Sequence, residues 1–397
     1  MLLLKENSKP LDALNMALLI SFCNQSLTPN LSLLLVDENS LDAQWVELPS
    51  FSYDIGGCTG IEKVKDKYYI LTQSLKPELL VFNNNFCFAE RYPLHHIIDP
   101  HSLVYHDSFL YIVSSGDNSV YKVRLSADGC SIEERFWSFP DIEYVKNDVV
   151  HLNSVNCYNG ELFVTFLGKK REETTWKTTT DGGCYNITRD VLFKTKLYHP
   201  HTVKFLNNKI LICESNGPRL WYTDWENNCI SFNGQLELNG YLRGLDYGQE
   251  HYYLGRSERR KISRSRGAEN ADIEKNTEFF SAAVYKLDRT LTKILGEIDV
   301  SCYGSEIYDI MYIPEITLEE KNAGKKRIEE LEANLTAAKY TYLQLQQEHQ
   351  QLCIEYKQFQ QSEAVLFEEK LINKPAMKHL VSTESWIMKN INRFLKK

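Results

Sequence analysis

The sequence predicts an all-β fold, a six-bladed β-propeller closed by pairing of its N- and C-terminal strands and followed by a C-terminal α-helical coiled-coil tail. Three observations predict it: six recurrent strand starts, hairpin signatures behind five of them, and a sharp change of composition after Pro314. The starts are Cys58-Thr59-Gly60-Ile61, Pro100-His101-Ser102-Leu103, Leu152-Asn153-Ser154-Val155, Pro200-His201-Thr202-Val203, Leu242-Arg243-Gly244-Leu245 and Ile307-Tyr308-Asp309-Ile310. They lie 42, 52, 48, 42 and 65 residues apart, and a period of about 40–50 residues with several short strands in each is the mark of a propeller blade.

In the first five units a second apolar run opens seven residues after the aliphatic residue, as from Leu103 to Leu110. Asp66-Lys67, Asp107-Ser108, Asn159-Gly160 and Asn207-Asn208 supply the reversals between the two runs, because short polar residues accept the tight turns of hairpins. Third strands follow at Glu78–Phe82, Ser119–Val123 and Arg219–Tyr222, and Arg135–Phe139 is the clearest fourth strand.

The sixth unit ends after Ile313-Pro314, with no second strand behind it. At the other terminus, Ala17–Phe22 and Leu31–Val36 resemble second and third strands lacking a first. Joining the fragments makes one full blade and leaves neither edge exposed. The expected boundaries are a propeller over 1–315, a long helix over 316–374 and a short one over 375–397, broken at Pro375. A largely apolar heptad seam runs over 328–366, through Ile328, Leu331, Leu335, Leu345, Leu352, Phe359 and Leu366, and predicts a homo-oligomer built by that helix.

Composition narrows the function classes. A net charge of −8 offers no general attraction to phosphate backbones, so nucleic acid is not an expected partner. No run reaches the roughly 18 apolar residues that span a bilayer. The beginning, Met1-Leu2-Leu3-Leu4-Lys5-Glu6, lacks a basic segment before an apolar core. Ten cysteines without CxxC spacing, among them Cys157 and Cys213 within strands, fit a cytoplasmic chain with reduced thiols. No GxSxG, Walker or strand-helix GxGxxG pattern points to a serine hydrolase, an NTPase or a dinucleotide enzyme.

The starts also carry chemistry. Residues two apart share a face of a strand, and the first strand of a blade lines the channel. One ring of side chains then reads Thr59, His101, Asn153, His201, Arg243, Tyr308, and a second ring above it reads Gly57, Asp99, His151, His199, Tyr241, Glu306. The intervening position is Gly60, Ser102, Ser154, Thr202, Gly244 or Asp309, as expected for side chains squeezed between blades.

His101, His151, His199 and His201 suit a divalent transition metal such as Zn, Mn, Fe or Ni. Asp99 and Glu306 are the candidate catalytic carboxylates, as ligand or general base. Arg243, Arg256, Asn153 and Tyr241 are the candidate contacts to a small anionic or carbohydrate-like ligand. A basic insertion over 256–266 adds six cations in eleven residues, which reads equally as an anion site or a solvated loop. The expected activity is a metal-dependent hydrolase or lyase. The alternative is a ligand-binding or scaffold propeller multiplied by its coiled coil.

His199-Pro200-His201-Thr202-Val203, Ile210–Ser215, Gly240-Tyr241-Leu242-Arg243-Gly244-Leu245 and Gly255-Arg256-Ser257 together resemble a bacterial propeller family known as a conserved domain of unknown function. The resemblance covers about residues 15–314 and implies a propeller without implying a reaction. The chain departs from the family by the basic insertion and the helical tail. More distantly it is similar to six-bladed lactonases of the gluconolactonase and paraoxonase type, which hold a divalent cation at the channel mouth through Glu, Asn and Asp, where this chain has histidines.

Overall fold

The computed structural model describes residues 16–25, 30–126, 129–140, 142, 147–170, 179–224, 234–248, 250–258, 280–314 and 351. The chain divides into two units, Met1–Glu319 and Glu320–Lys397. The heptad seam apart from Gln351, the short helix expected over 375–397, and the basic insertion beyond Glu258 lie outside the described residues.

The first unit is a six-bladed propeller of four-stranded antiparallel sheets. From the innermost strand outward, the first blade is β4 (Gly57–Val64), β5 (Lys67–Gln73), β6 (Glu78–Asn83), β7 (Phe88–Pro93). The second is β8 (Pro100–His106), β9 (Phe109–Ser114), β10 (Ser119–Ser126), β11 (Gly129–Ser138). The third is β12 (Leu152–Tyr158), β13 (Glu161–Phe166), β14 (Gly182–Asn186), β15 (Val191–Leu197). The fourth is β16 (Pro200–Leu206), β17 (Lys209–Glu214), β18 (Arg219–Asp224), β19 (Gly234–Glu237), and the fifth is β20 (Tyr241–Tyr247), β21 (His251–Ser257), β22 (Ala283–Asp288), β23 (Ile294–Asp299).

The sixth blade closes the ring. Its innermost strand is β24 (Ile307–Ile313), and its outer three are β1 (Ala17–Phe22), β2 (Leu33–Asp37) and β3 (Ala43–Trp45). Ile310 pairs with Ile20 and Ile313 with Ala17, so the two ends of the propeller share one sheet. Three of the first hairpins turn through Asp107-Ser108, Asn159-Gly160 and Asn207-Asn208, both residues of each pair at positive φ. This is the type I′ geometry whose twist matches the strands.

Adjacent blades are stitched at the axis by buried side-chain oxygens. At all six junctions a hydroxyl donates to an innermost-strand carbonyl of the next blade: Ser21 to Thr59 at 2.6 Å, Thr59 to Pro100 at 3.0 Å, Ser115 to Leu152, Thr165 to His201 at 3.3 Å, Ser215 to Leu242 at 2.5 Å and Ser257 to Ile307 at 2.9 Å. Buried hydrogen bonds of this kind contribute about 1 kcal/mol each.

The small residues between the rings supply a second set. Ser102, Ser154 and Thr202 accept from the backbone N–H of Val155, Val203 and Gly244, and Asp309 Oδ2 accepts from Ile61. The remaining two junctions carry glycine because the blades touch there. A Cβ on Gly60 would lie 2.9 Å from Ser102 Cα, and one on Gly244, at φ +68°, 2.9 Å from the Asp309 backbone.

Candidate functional site

Each innermost strand carries one residue more than its neighbour at the same level, next to the ring position. In β4, β8 and β12 the pairs Thr59-Gly60, His101-Ser102 and Asn153-Ser154 each oppose a single residue. In β16, β20 and β24 the extra residue is His201, Gly244 or Tyr308. Such bulges re-aim side chains and occur beside active sites. Here they let consecutive residues, such as His201 and Thr202, both line the axis, which simple alternation forbids.

Just before three of these strands, Asp99, His151 and His199 stand at φ +52°, +52° and +56°, a conformation uncommon outside glycine. The turn aims each carbonyl at the side chain two residues on. His101 Nδ1 meets the Asp99 carbonyl at 2.9 Å, Asn153 Nδ2 donates to the His151 carbonyl at 3.0 Å, and His201 Nδ1 meets the His199 carbonyl at 3.2 Å.

These bonds fix the tautomers. A carbonyl only accepts, so Nδ1 of His101 and of His201 carries the hydrogen. Ser215 Oγ, 2.8 Å from His201 Nδ1, already gives its own proton to Leu242 and therefore accepts as well. His201 Nε2 is thus a bare lone pair, approached by the Tyr241 hydroxyl at 3.3 Å and by Arg243 Nη2 at 3.2 Å. Burial, then the adjacent Arg243 charge, holds the His201 ring well below the usual imidazole range. Burial likewise pushes His101 down, against the pull of Asp99.

His151 shifts the other way. Burial works against its charged form, yet the Asp148 carboxylate overcomes it and the ring is pushed up. Asp148 Oδ2 lies 2.5 Å from His151 Nδ1, and its Oδ1 accepts the His151 backbone N–H at 2.9 Å. The rings of His101 and His151 meet edge to face at 4.9 Å, and Tyr308 reaches across to His101 at 5.6 Å. Thr59, small and fully buried between them, leaves the space for that reach.

Arg243 is held from both chain ends. Its Nη1 lies 3.3 Å from Cys23 Sγ and 3.8 Å from Glu306 Oε2, and Asn24 Nδ2 donates to the same carboxylate oxygen at 2.8 Å. The Tyr241 and Tyr308 rings flank the guanidinium at 5.0 and 5.5 Å.

The structure therefore gathers Asp99, His101, His151, Asn153, His201, Tyr241, Arg243 and Glu306 around one funnel. The four expected metal ligands divide: His101 and His151 adjoin, His201 faces Tyr241 and Arg243, and His199 packs its ring on Tyr198 at 5.0 Å. Among the described residues no group of three or more His, Cys, Asp or Glu side chains is spaced to hold a metal ion. Glu306 anchors Arg243, and the side chain of Asp99 is 42% exposed at the mouth beside His101.

Arg256 stands apart. Its Nε donates to the Ser281 carbonyl, Nη1 to the Tyr285 hydroxyl and Nη2 pairs with Glu297, so its polar groups are spent within its own blade. Residues that strand periodicity gave no sign of are Asp148, in the loop before β12, and Cys23 and Asn24, which ring closure alone delivers.

Residues 81–320 match the family described as Domain of unknown function (DUF4915). The chain belongs to that family. No curated protein matches the chain. Several solved structures are similar to it at low identity. A protein of unknown function from Bacteroides caccae is 12% identical at TM-score 0.49, covering 75% of this chain and 99% of that one. The nidogen/laminin complex gives 9% identity at TM-score 0.49, covering 75% and 98%. A protein from Bacteroides fragilis assigned provisionally as a 6-phosphogluconolactonase gives 10% at TM-score 0.48, covering 77% and 100%. Among the described residues no helix is long and apolar enough to cross a membrane.

Proposed function

We propose that the funnel is the active site of a hydrolase or lyase that transfers protons between two histidines on a small, carbohydrate-like substrate. The observation that carries this reading is the opposite surroundings of two histidines in one funnel: the Asp148 carboxylate at His151 Nδ1 favours the protonated ring, whereas burial and the Tyr241 and Arg243 donors at His201 Nε2 favour the neutral one. Paired groups whose surroundings drive them apart divide into acid and base. His201 Nε2 takes a proton from the substrate or a water, and His151, protonated against Asp148, gives one to the leaving oxygen. Tyr241 and Arg243 present donors to an oxygen that gains negative charge. Asp99, Asp148 and Glu306 outnumber Arg243 and protonated His151, which favours a neutral polyol over an anion.

A divalent cation is the competing basis for the same chemistry. His101 and His151 would be its imidazole ligands, and binding would displace the proton from His151. The seam over 328–366 is proposed to pair copies of the chain.

The test uses full-length protein without a histidine tag, assayed on a panel of sugar lactones, glycosides and sugar-acid esters, with metal content measured. Turnover is expected to rise with pH as His201 loses its proton, fall as His151 loses its own, and drop about 10²–10⁴-fold in His151→Ala or His201→Ala. Binding without turnover would make the funnel a recognition site. A stoichiometric metal whose removal abolishes turnover would replace the two-histidine reading.

A further inference from the structure

A bulge places Tyr308 at the axis. Phe22 pairs with Ile307 and Ser21 with Asp309, so Tyr308 opposes nothing in β1 and lines the channel with Asn153, His201 and Arg243. The first blade offers only the short Thr59 at this level, and the Tyr308 ring reaches the second, meeting the His101 ring edge to face at 5.6 Å. The Arg243 guanidinium lies 5.5 Å from its centroid. Both contacts belong to the ring, and a phenylalanine would make them equally well.

The hydroxyl is spare. Among the described residues no hydrogen bond reaches Tyr308 Oη, although a tyrosine inside a protein ordinarily finds a partner for its O–H. The oxygen is not sealed away either. At the ring the enclosed atoms without partners are Asn153 Oδ1 and Arg243 Nε, whereas Tyr308 is half-buried and its Oη stays open to solvent. Neighbouring polar groups are committed within the protein: Thr59 Oγ1 to the Pro100 carbonyl, the Tyr241 hydroxyl to His201, Glu306 to Arg243 and Asn24.

A phenol both gives and takes a hydrogen bond, and a ligand hydroxyl answers both. An anionic group only takes one, and it would add charge near Asp99, whose side chain stands 42% exposed beside His101. We propose that Tyr308 sets the specificity of the funnel, its hydroxyl exchanging hydrogen bonds with one hydroxyl of a neutral polyol. The contact rests on the neutral-polyol reading above and uses none of its proton transfers.

The test compares full-length wild type with Tyr308→Phe, which keeps the ring contacts, by calorimetric titration with glucose, galactose, mannose and myo-inositol. Wild type is expected to bind at least one of them, and Tyr308→Phe to bind it about 3–10-fold more weakly, the worth of one neutral hydrogen bond. Among the monodeoxy forms of that probe, one is expected to bind both proteins alike, because it lacks the hydroxyl that Tyr308 meets. Equal affinity of the two proteins for every probe overturns the contact. So does a loss of the same size for every monodeoxy form, which would trace the effect to packing, and so does a wild type that binds none of the probes. Weaker binding by Tyr308→Phe, with turnover of none of the lactones, glycosides and esters, keeps the contact and overturns the acid–base reading. Turnover of one of these compounds with the same KM in both proteins does the reverse.

Discussion

Replacing Asp148 by Asn changes one atom of the dyad and inverts its hydrogen bonding. The amide oxygen can still accept the His151 backbone N–H, which preserves the turn at φ +52°. The amide nitrogen then faces His151 Nδ1, where Asp148 Oδ2 lies at 2.5 Å. A donor there forces Nδ1 to accept, so the ring becomes neutral with its hydrogen on Nε2. Both side chains are about one-sixth exposed, so solvent screens the pair only in part. A charge-assisted bond worth about 1.5–3 kcal/mol gives way to a neutral one worth about 0.5–1.5, a loss of about 1–2 kcal/mol at a pH where wild-type His151 is charged. The His151 pKa is raised on folding because Asp148 outweighs burial. Its contribution is therefore fully present below the ordinary imidazole value of about 6.5 and disappears as pH climbs through the raised folded value. Urea unfolding of wild type and Asp148→Asn at pH 6 and pH 9 is expected to show the gap at the lower pH and near-coincidence at the higher. A gap that stays constant, or widens at pH 9, refutes the reasoning.

At the ring closure, Asp309→Ala strands the buried N–H groups of Ile61 and Ile310 and should cost about 2–5 kcal/mol by chemical denaturation. Asp309→Ser, which installs the residue used at Ser102 and Ser154, should recover much of that loss, and a Ser variant no better than Ala would argue against the stitching. Tyr241→Phe removes one of the two donors at His201 Nε2; a histidine NMR titration should show the imidazole moving upward, since the neutral form loses a bond. Ending the chain at residue 315 should leave a folded propeller of lower oligomeric mass in light scattering, and an unchanged oligomeric state would remove the helical seam as its cause.

The innermost strands were legible because they are buried on both faces and restate one pattern, down to the Asp-Pro-His, His-Leu-Asn and His-Pro-His triplets. The outermost strands were not. β7 and β23 expose most of their side chains, which erases the alternation that marks a strand. The ring residues could be aligned from their repeated starts, whereas the bulges are invisible until a partner strand is known. Asp148 lies in a loop where no period applies. The pairing of Asn24 with Glu306 spans 282 residues and exists only once the two ends meet.

That last pairing gives the propeller an order of assembly. Strand β1 waits for β24 through the synthesis of nearly the whole unit, an interval of about 15–60 s at 5–20 residues per second. Until then its edge is open, Ser21 lacks the N–H of Asp309, and Arg243 lacks Glu306. The contacts of Arg243 with Glu306 and Cys23 cannot all form in an incomplete ring, so a fully held Arg243 marks the docking of the last strand.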